Sequence, residues 1–376
     1  MTLVAVASGW RARLKSEWLL LLFAALALAL ALFDPRPLAD YRRWLQLPTL
    51  AGLLGLMLAI QGIRDSGLVQ HAAGALAARV HSLRALGLLL VTSAALLATV
   101  LTNDVSLFLV VPLTLAIGAI SNLPVARMAV LEALAVNAGS TLSPIGNPQN
   151  LLLWQHAQSP FPRFALAMLP AAAVMFALVA ALTLAWLPKG RAMLRPSQVD
   201  GHPVAAPLAA GSLLALLLMV LAMEYGLALP GALVLAAAYA LIARHVPARI
   251  DWLLLATFVA IFLCLGHFAE LPLVRHGLDR LALDRPLTLF ACGIAISQVI
   301  SNVPATVLLL DRAHDATALA VAVNVGGAGL AIGSLANLIA LRLANQPHGL
   351  RLFHRVSIPF LLVSAPLVYL AWRWLG

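Results

Sequence analysis

The sequence predicts an all-α polytopic membrane protein of two inverted-topology repeats, each with a re-entrant helical hairpin and a broken transmembrane helix. Three observations carry this expectation. The 376 residues are 62% hydrophobic and only 10% charged, and several apolar runs exceed the roughly 18 residues that suggest a membrane span. Residues 136–151 return, worn, as residues 323–338. At a constant offset of 187 the identities are Val136/Val323, Asn137/Asn324, Gly139/Gly326, Ile145/Ile332, Gly146/Gly333, Asn150/Asn337 and Leu151/Leu338, seven of 16 positions. Both copies place Gly, Asn and other polar residues inside apolar segments. Non-helical backbone at membrane depth is tolerated only where it lines a cavity or is buried in protein. Two such interruptions in matching positions of two halves point to a transporter binding site.

The first run, 18–33, follows Arg11, Arg13 and Lys15 and has Ala-Leu-Ala triplets near its end. Signal peptides and uncleaved first helices share this pattern; the long series of further spans favours the uncleaved helix. A second span covers 47–63. Residues 66–81 mix Ala, Leu and Val with His71, Arg79 and His81, which suits an interfacial amphipathic helix. The first hairpin runs along 84–101 into Thr102-Asn103-Asp104 and out along 105–120. Each arm is about one span long, but a full crossing normally ends in a wet loop, and this turn has only two or three polar residues. Two true spans remain the alternative. A broken segment, 125–154, and a span, 164–187, complete the first half.

The stretch 188–206, with Lys189, Arg191, Arg195, Pro196, Asp200, Gly201 and Pro203, is the polar linker. The single span 207–223 then turns the second half upside down relative to the first. Spans at 228–243 and 252–269 follow, then 270–285 as the counterpart of 66–81. The second hairpin enters along 286–300, turns at Ser301-Asn302-Val303 and leaves along 304–313. The second broken segment is 316–342, and the last span is 356–374. The domain division is therefore 1–187 as first repeat (hairpin 84–120, broken helix 125–154), 188–227 as linker plus inverting span, and 228–376 as second repeat (hairpin 286–313, broken helix 316–342).

Net charge is +10. In a soluble protein this would raise nucleic acid as a partner. Here the basic residues lie between apolar runs, as in orienting loops, so a nucleic-acid partner is rejected. With a cytoplasmic N-terminus and hairpins that enter and leave on one side, 15 of the 24 Lys and Arg fall inside and nine outside. That bias has the sign of the positive-inside rule, although Arg36, Arg42 and Arg43 sit on the minority side. The expected location is the cell (inner) membrane, multi-pass. Cys264 and Cys292 both fall in apolar runs and imply neither a disulfide framework nor a metal site.

The tips carry the first candidate chemistry. Thr102, Asn103, Ser301 and Asn302 put hydroxyls and carboxamides at mid-membrane depth. Leftover backbone carbonyls with such oxygens suit a dehydrated Na⁺, and the N-terminus of each outgoing arm suits an anion. Pro304 fits a helix's first turn. The plainer reading is that these four residues cap helices in a dry turn. Asp104 is an intramembrane acid, functional by default; it could carry a coupling proton, complete a cation site, or simply cap the outgoing arm. Val303 replaces it in the second tip, so the halves are chemically unequal.

In the first break, Gly139, Ser140, Thr141, Ser143, Pro144, Gly146, Asn147 and Pro148 should unwind the chain, since proline removes an N–H and clashes with the preceding turn. The second break uses Gly326, Gly327 and Gly329 instead and keeps Gly333, Ser334 and Asn337. A packing kink with small residues is the alternative. Asn150 and Asn337 are less ambiguous, because an amide in lipid needs partners. Glu132, five residues past Arg127, either reaches the headgroup region, pairs locally or is functional. The histidines fall in loops, interfacial stretches or, for His267, at a span end, without metal spacing.

The set Thr102-Asn103-Asp104, Ile145-Gly146-Asn147-Pro148-Gln149-Asn150 and Ser301-Asn302-Val303-Pro304 resembles the ion transporter superfamily of arsenite permeases, divalent anion:sodium symporters and citrate-transporter-like permeases. The resemblance covers about 47–374, with the motifs in the family's order. It implies that Thr102, Asn103, Ser301 and Asn302 take the tip roles, holding Na⁺ and substrate carboxylate in sodium-coupled members. It gives Gly146, Asn147, Pro148, Gly333 and Ser334 the broken-helix roles. Neither tip is the complete Ser-Asn-Thr of dicarboxylate carriers; Asn-Asp and Ser-Asn-Val-Pro look more like arsenite-permease relatives.

The functional expectation is a secondary active transporter of a small inorganic or organic anion or oxyanion, working by alternating access and coupled to H⁺ or Na⁺. A cation/proton antiporter using Asp104 is the runner-up. No cofactor and no metal site is expected, beyond Na⁺ at the Asn103 and Asn302 tips as a candidate coupling ion. The partners are the solute and the lipid bilayer, with a homodimer left open. A channel would need rings of carbonyls or charges along a pore, and nothing repeats as a filter. An intramembrane enzyme would need a nucleophile with its base, and Ser140, Ser143 and Ser301 have no His at similar expected depth.

Overall fold

The computed structural model describes residues 17–192 and 203–375. Arg11, Arg13, Lys15 and the linker residues Arg195, Pro196, Asp200 and Gly201 lie outside them. The described chain is helical, and its one β-bridge pairs Ser82 with Arg191. The chain opens with α1 (Trp18–Phe33), α2 (Leu38–Trp44), α3 (Leu47–Asp65) and α4 (Leu68–Arg79). Next come α5 (Leu83–Val100), α6 (Asn103–Ile120), α7 (Val125–Thr141), α8 (Pro148–Ala157) and α9 (Phe161–Trp186). After the linker follow α10 (Ala206–Glu224), α11 (Ala228–Ile242), α12 (His245–Arg249), α13 (Trp252–Ala269) and α14 (Pro272–Asp279). The chain closes with α15 (Pro286–Ile300), α16 (Asn302–Leu310), α17 (Ala316–Val325), a 3₁₀ turn (Ala331–Gly333), α18 (Leu335–Ala344) and α19 (Gly349–Leu375).

Among the described residues, seven helices are long and apolar enough to cross a membrane: α3, α5, α6, α9, α10, α13 and α19. The protein is thus an all-α polytopic membrane protein. Both arms of the first hairpin, at 18 residues each, reach span length. The second hairpin does not: α16 has 9 residues, about 13 Å of rise against a hydrocarbon core of about 30 Å. Its exit arm is therefore too short to cross that core as a helix. The last helix starts at Gly349, a turn and more before the expected 356, and so takes His354 into the helix. The short helices α2 and α12 were not expected.

The chain forms two compact units, residues 1–61 with 213–280 and residues 62–212 with 281–376. Both hairpins and both broken segments lie in the second unit. In the first unit α13 packs against α1 and α2. There His267 is buried, stacks on Trp44 with ring centroids 4.8 Å apart, and sits 3.2 Å from Asp34 Oδ2 through Nε2. The Arg36 guanidinium bonds the same oxygen and holds the Asp34 carboxyl below its ordinary value. His267 therefore does more than close a span.

In the second unit the cores are α7 and α17. Every residue from Met128 to Thr141 is buried, and so is every residue from Ala318 to Val325. No face of these helices meets water, so each polar group on them, Glu132, Asn137 and Asn324 included, depends on the protein for partners. Around them the two halves pack alike. Each hairpin lays both arms on its own pre-break helix, α5 and α6 on α7, α15 and α16 on α17. Each exit arm also packs on the other half's post-break helix, α6 on α18 and α16 on α8.

One packing test compares a glycine of each unit. A Cβ at Gly266 would lie 2.5 Å from Trp44 Cγ, whereas a Cβ at Gly74 meets nothing within 4 Å. Gly266→Leu should cost about 1–3 kcal/mol, read as a lower thermal midpoint in detergent, and Gly74→Leu should leave that midpoint unchanged or raise it.

Candidate functional site: two hairpin tips against two broken helices

The first tip is built by Thr102. Its hydroxyl accepts from the Val105 N–H at 3.3 Å and caps α6. Asn103 is 4% exposed, and its backbone N–H donates to the Gly146 carbonyl at 2.9 Å. The tip is thereby tied to the first break, next to Asn147. Asn103 Oδ1 accepts from the Asp104 N–H, and the Asp104 carboxylate, half-buried, has no hydrogen bond among the described residues.

The second tip is unlike the first. Ser301 makes no side-chain cap and takes φ 70° and ψ 157°, a region used almost only by glycine. Its hydroxyl lies 3.5 Å from Asn302 Oδ1. Val303, half-buried, brings no polar atom where the first tip has a carboxylate. Among the described residues no hydrogen bond joins the two tips. Asn302 lies against the other members of the site: a Cβ at Gly327 would be 3.3 Å from Asn302 Nδ2 and 3.4 Å from Asn137 Oδ1.

The breaks are where the sequence puts them. The first helix stops at Thr141 and restarts at Pro148, whose missing N–H costs nothing in a first turn. The second stops at Val325 and restarts at Leu335, with Gly329 at φ +96° making the turn. Both post-break helices have ten residues and end on a left-handed residue, Gln158 and Asn345, again 187 apart.

Five buried asparagines then bind the breaks to each other. Asn137 Nδ2 donates to its own helix at Ala133 O and across to Asn337 Oδ1 at 2.9 Å. Asn324 Nδ2 does the same, to Ala320 O and across to Asn150 Oδ1 at 2.6 Å. Because 137 and 324, and 150 and 337, are each 187 apart, the two crossings are one bond made twice with the halves exchanged. Asn150 Nδ2 reaches the end carbonyls of Ser140, Thr141 and Ser143, and Asn337 Nδ2 reaches Gly327 O, the counterpart of Ser140 O. Asn147 has no such twin. It accepts from the Asn150 N–H, and its Nδ2 is shared among Ser140 O, Ser140 Oγ and Asn324 Oδ1. The hydroxyls of Ser140 and Thr141 return to Asn137 O.

The hairpins cap the breaks from the side. Thr99 Oγ1 donates to Gly139 O at 3.0 Å, and Gln298 Nε2 donates to Gly326 O at 2.7 Å. Gln298 also donates to Ala328 O and accepts from the Leu330 N–H. Ser357 Oγ and His354 Nε2 accept the N–H groups of Gly329 and Ala331. Close approach needs the paired glycines: a Cβ at Gly139 would collide with the Ala95 backbone, and one at Gly146 would sit 2.5 Å from Ser140 O. At Gly326 it would meet the Ser297 side chain at 2.7 Å, and at Gly333 the Gly326 carbonyl at 2.7 Å. Ser334, buried at the start of α18, makes no cap, and its hydroxyl has no hydrogen bond among the described residues.

Sequence reasoning placed the tips and breaks together but left out Asn137, Asn324, Thr99, Gln298 and His354 as partners. Asn137 and Asn324 were legible, being an identical pair of intramembrane amides. Thr99 and Gln298, three residues before each tip, share no chemistry that a sequence repeat would flag. Glu132 reaches no headgroup region: it is fully buried, and its local partner is the Thr114 hydroxyl.

With this geometry in view, a family model described as citrate transporter matches residues 4–318. The chain belongs to the citrate transporter family. It is 42% identical over 322 residues to the inner membrane protein YbiR of Escherichia coli (strain K12), covering 85% of this chain and 86% of that one. It is 28% identical over 323 residues to an uncharacterized transporter of Methanocaldococcus jannaschii, covering 85% and 86%. Over 127 residues, 34% of this chain and 26% of the other, it is 32% identical to a silicon efflux transporter of Oryza sativa subsp. japonica. The chain is a multi-pass membrane transporter by family, and the family and these relatives are not enzymes.

Two stability experiments test the site. Ser301→Gly removes the strain of a non-glycine residue at φ 70° and should stabilise the protein by about 1 kcal/mol in thermal melts. Asn150→Leu strands three carbonyls and the Asn324 amide, and should lower stability by at least about 2 kcal/mol, since each unpartnered buried group costs about 1–3.

Proposed function

We propose that this chain is a secondary active transporter that moves a small anion or oxyanion by alternating access, coupled to H⁺ or Na⁺. The observation that carries the reading is the gathering of both tips and both breaks in one compact unit, with polar groups left over. The interior amides are spent on the protein. On the tips and breaks, Asn103 Nδ2, Asn302 Nδ2, Asn137 Oδ1, Gln149 Oε1, Ser334 Oγ and the Asp104 carboxylate have no hydrogen-bond partner among the described residues. Two carboxamide donors beside the N-termini of α6, α8, α16 and α18 suit an anion, because a helix start presents N–H groups and positive dipole. Carbonyl and hydroxyl oxygens at the same ends suit a coupling cation.

The topology that goes with this reading is two inverted repeats, 1–187 and 228–376, with a cytoplasmic N-terminus in an inner membrane. The exchanged asparagine bonds support a two-repeat plan. The family description makes citrate one substrate class to try, and the rice relative's name makes silicon, offered as its soluble acid, another. A cation/proton antiporter is the second reading, favoured by the unpartnered carboxylate of Asp104 at the first tip.

Proteoliposomes under imposed gradients decide between them. Gradient-coupled flux of citrate or another small anion is the expected result, and the absence of such flux for every anion tried would count against the first reading. If Asp104 carries the proton, acidifying the bath shifts transport in the wild type and leaves Asp104→Asn unmoved.

A further inference from the structure

We propose that the carboxyl of Glu132, enclosed between α7 and α6 and held by the Thr114 hydroxyl, is the site that carries the coupling proton. The assignment rests on the transport reading above and adds to it the coupling ion and its carrier.

Glu132 is 0% exposed. The Thr114 hydroxyl donates to Oε1, while Oε2 is buried without any hydrogen-bond partner. No ion pair compensates it among the described residues. The helices packed on α7 carry Arg84 (α5), Asp104 (α6), Arg163 (α9), none on α17, Arg342 (α18), and Arg351, His354, Arg355, Tyr369 and Arg373 (α19). None of them bonds this carboxylate. Arg84 and Arg127, the cations nearest in sequence along α5 and α7, donate instead to the carbonyls of Leu187 and Trp186.

An ion in such a place has lost its hydration with one hydroxyl and no cation in return, a cost of several kcal/mol. A bound proton removes the charge. Packing alone does not require an acid here. The counterpart at the 187 offset is Leu319, equally buried, so hydrocarbon fills the same position in the other half. An acid kept where leucine suffices has a chemical task. The proton is taken from water on one side and returned to water on the other, and nothing else is exchanged. Asp104, half-buried at the tip, stays available to the solute.

Infrared difference spectra of the purified full chain, recorded across a pH series in H₂O and D₂O, test the assignment. The expected result is a protonated-carboxyl C=O band that titrates reversibly in the wild type and in Asp104→Asn. It should be missing in Glu132→Gln and displaced in frequency in Thr114→Val. A Glu132→Gln spectrum indistinguishable from the wild type would overturn the assignment. In proteoliposomes with citrate and silicic acid as probes, Glu132→Gln should lose gradient-driven accumulation and keep tracer exchange; unchanged accumulation would likewise overturn it. A wild type that moves neither probe counts against the transport reading, and the infrared bands then decide Glu132 alone.

Discussion

The structure of the second unit depends on one constraint: an amide at membrane depth must find partners within the protein. Asn137 and Asn324 sit on pre-break helices with no wet face, so each must reach across, to Asn337 and Asn150. A single such bond in a membrane interior is worth only about 0.6 kcal/mol net on average. The penalty for leaving a buried group unpaired is larger, about 1–3 kcal/mol. The lattice is therefore set less by what its bonds add than by what any other arrangement would lose. That fixes the breaks in one register and makes the ends of α7 and α17 carbonyl-satisfied without continuing the helix.

The halves meet the same constraint with different chemistry. The first unwinds with Pro144 and Pro148, which delete N–H groups and so reduce what must be satisfied. The second unwinds with glycines, which keep their N–H groups exposed to pairing. It consequently needs Gln298, Ser357 and His354 to accept from Leu330, Gly329 and Ala331, and the first half makes no equivalent demand on α5 beyond Thr99. The longer unwound stretch of the second half, from 326 to 334, also matches the shorter exit arm of its hairpin.

Much of this was legible in the sequence, for physical reasons that differ by element. Span positions follow from apolar length, and the breaks from Pro and Gly where lipid forbids bare backbone; both are local signals. The Asn150 and Asn337 partnership was anticipated only as a need, because a sequence shows that an amide wants partners but not which helix supplies them. Glu132 misled for the opposite reason. Five residues from Arg127 it reads as a headgroup neighbour, but α7 is enclosed on every side, and depth in the membrane is a tertiary property. The strained Ser301 could not be foreseen either, since serine does not announce a glycine conformation.

Satisfaction of the interior has a consequence for where solute chemistry can occur. Asn147 and Asn150, the most conspicuous polar residues of the first break, have their amide donors consumed inside the lattice. Their work is to hold carbonyls and helix ends in place. The groups still able to bond a solute are at the tips and at the starts of α8 and α18, where Thr102, Asn103, Asp104, Asn302 and Ser334 stand. Glu132 lies apart from both sets, in α7 against the middle of α6. The unit thus separates three sets of polar groups along one buried pair of helices: amides that brace, tips with groups left free, and an acid that no cation offsets. A proton is the one ligand small enough to settle that acid without opening the packing around it, which is why burial there argues for chemistry instead of against it.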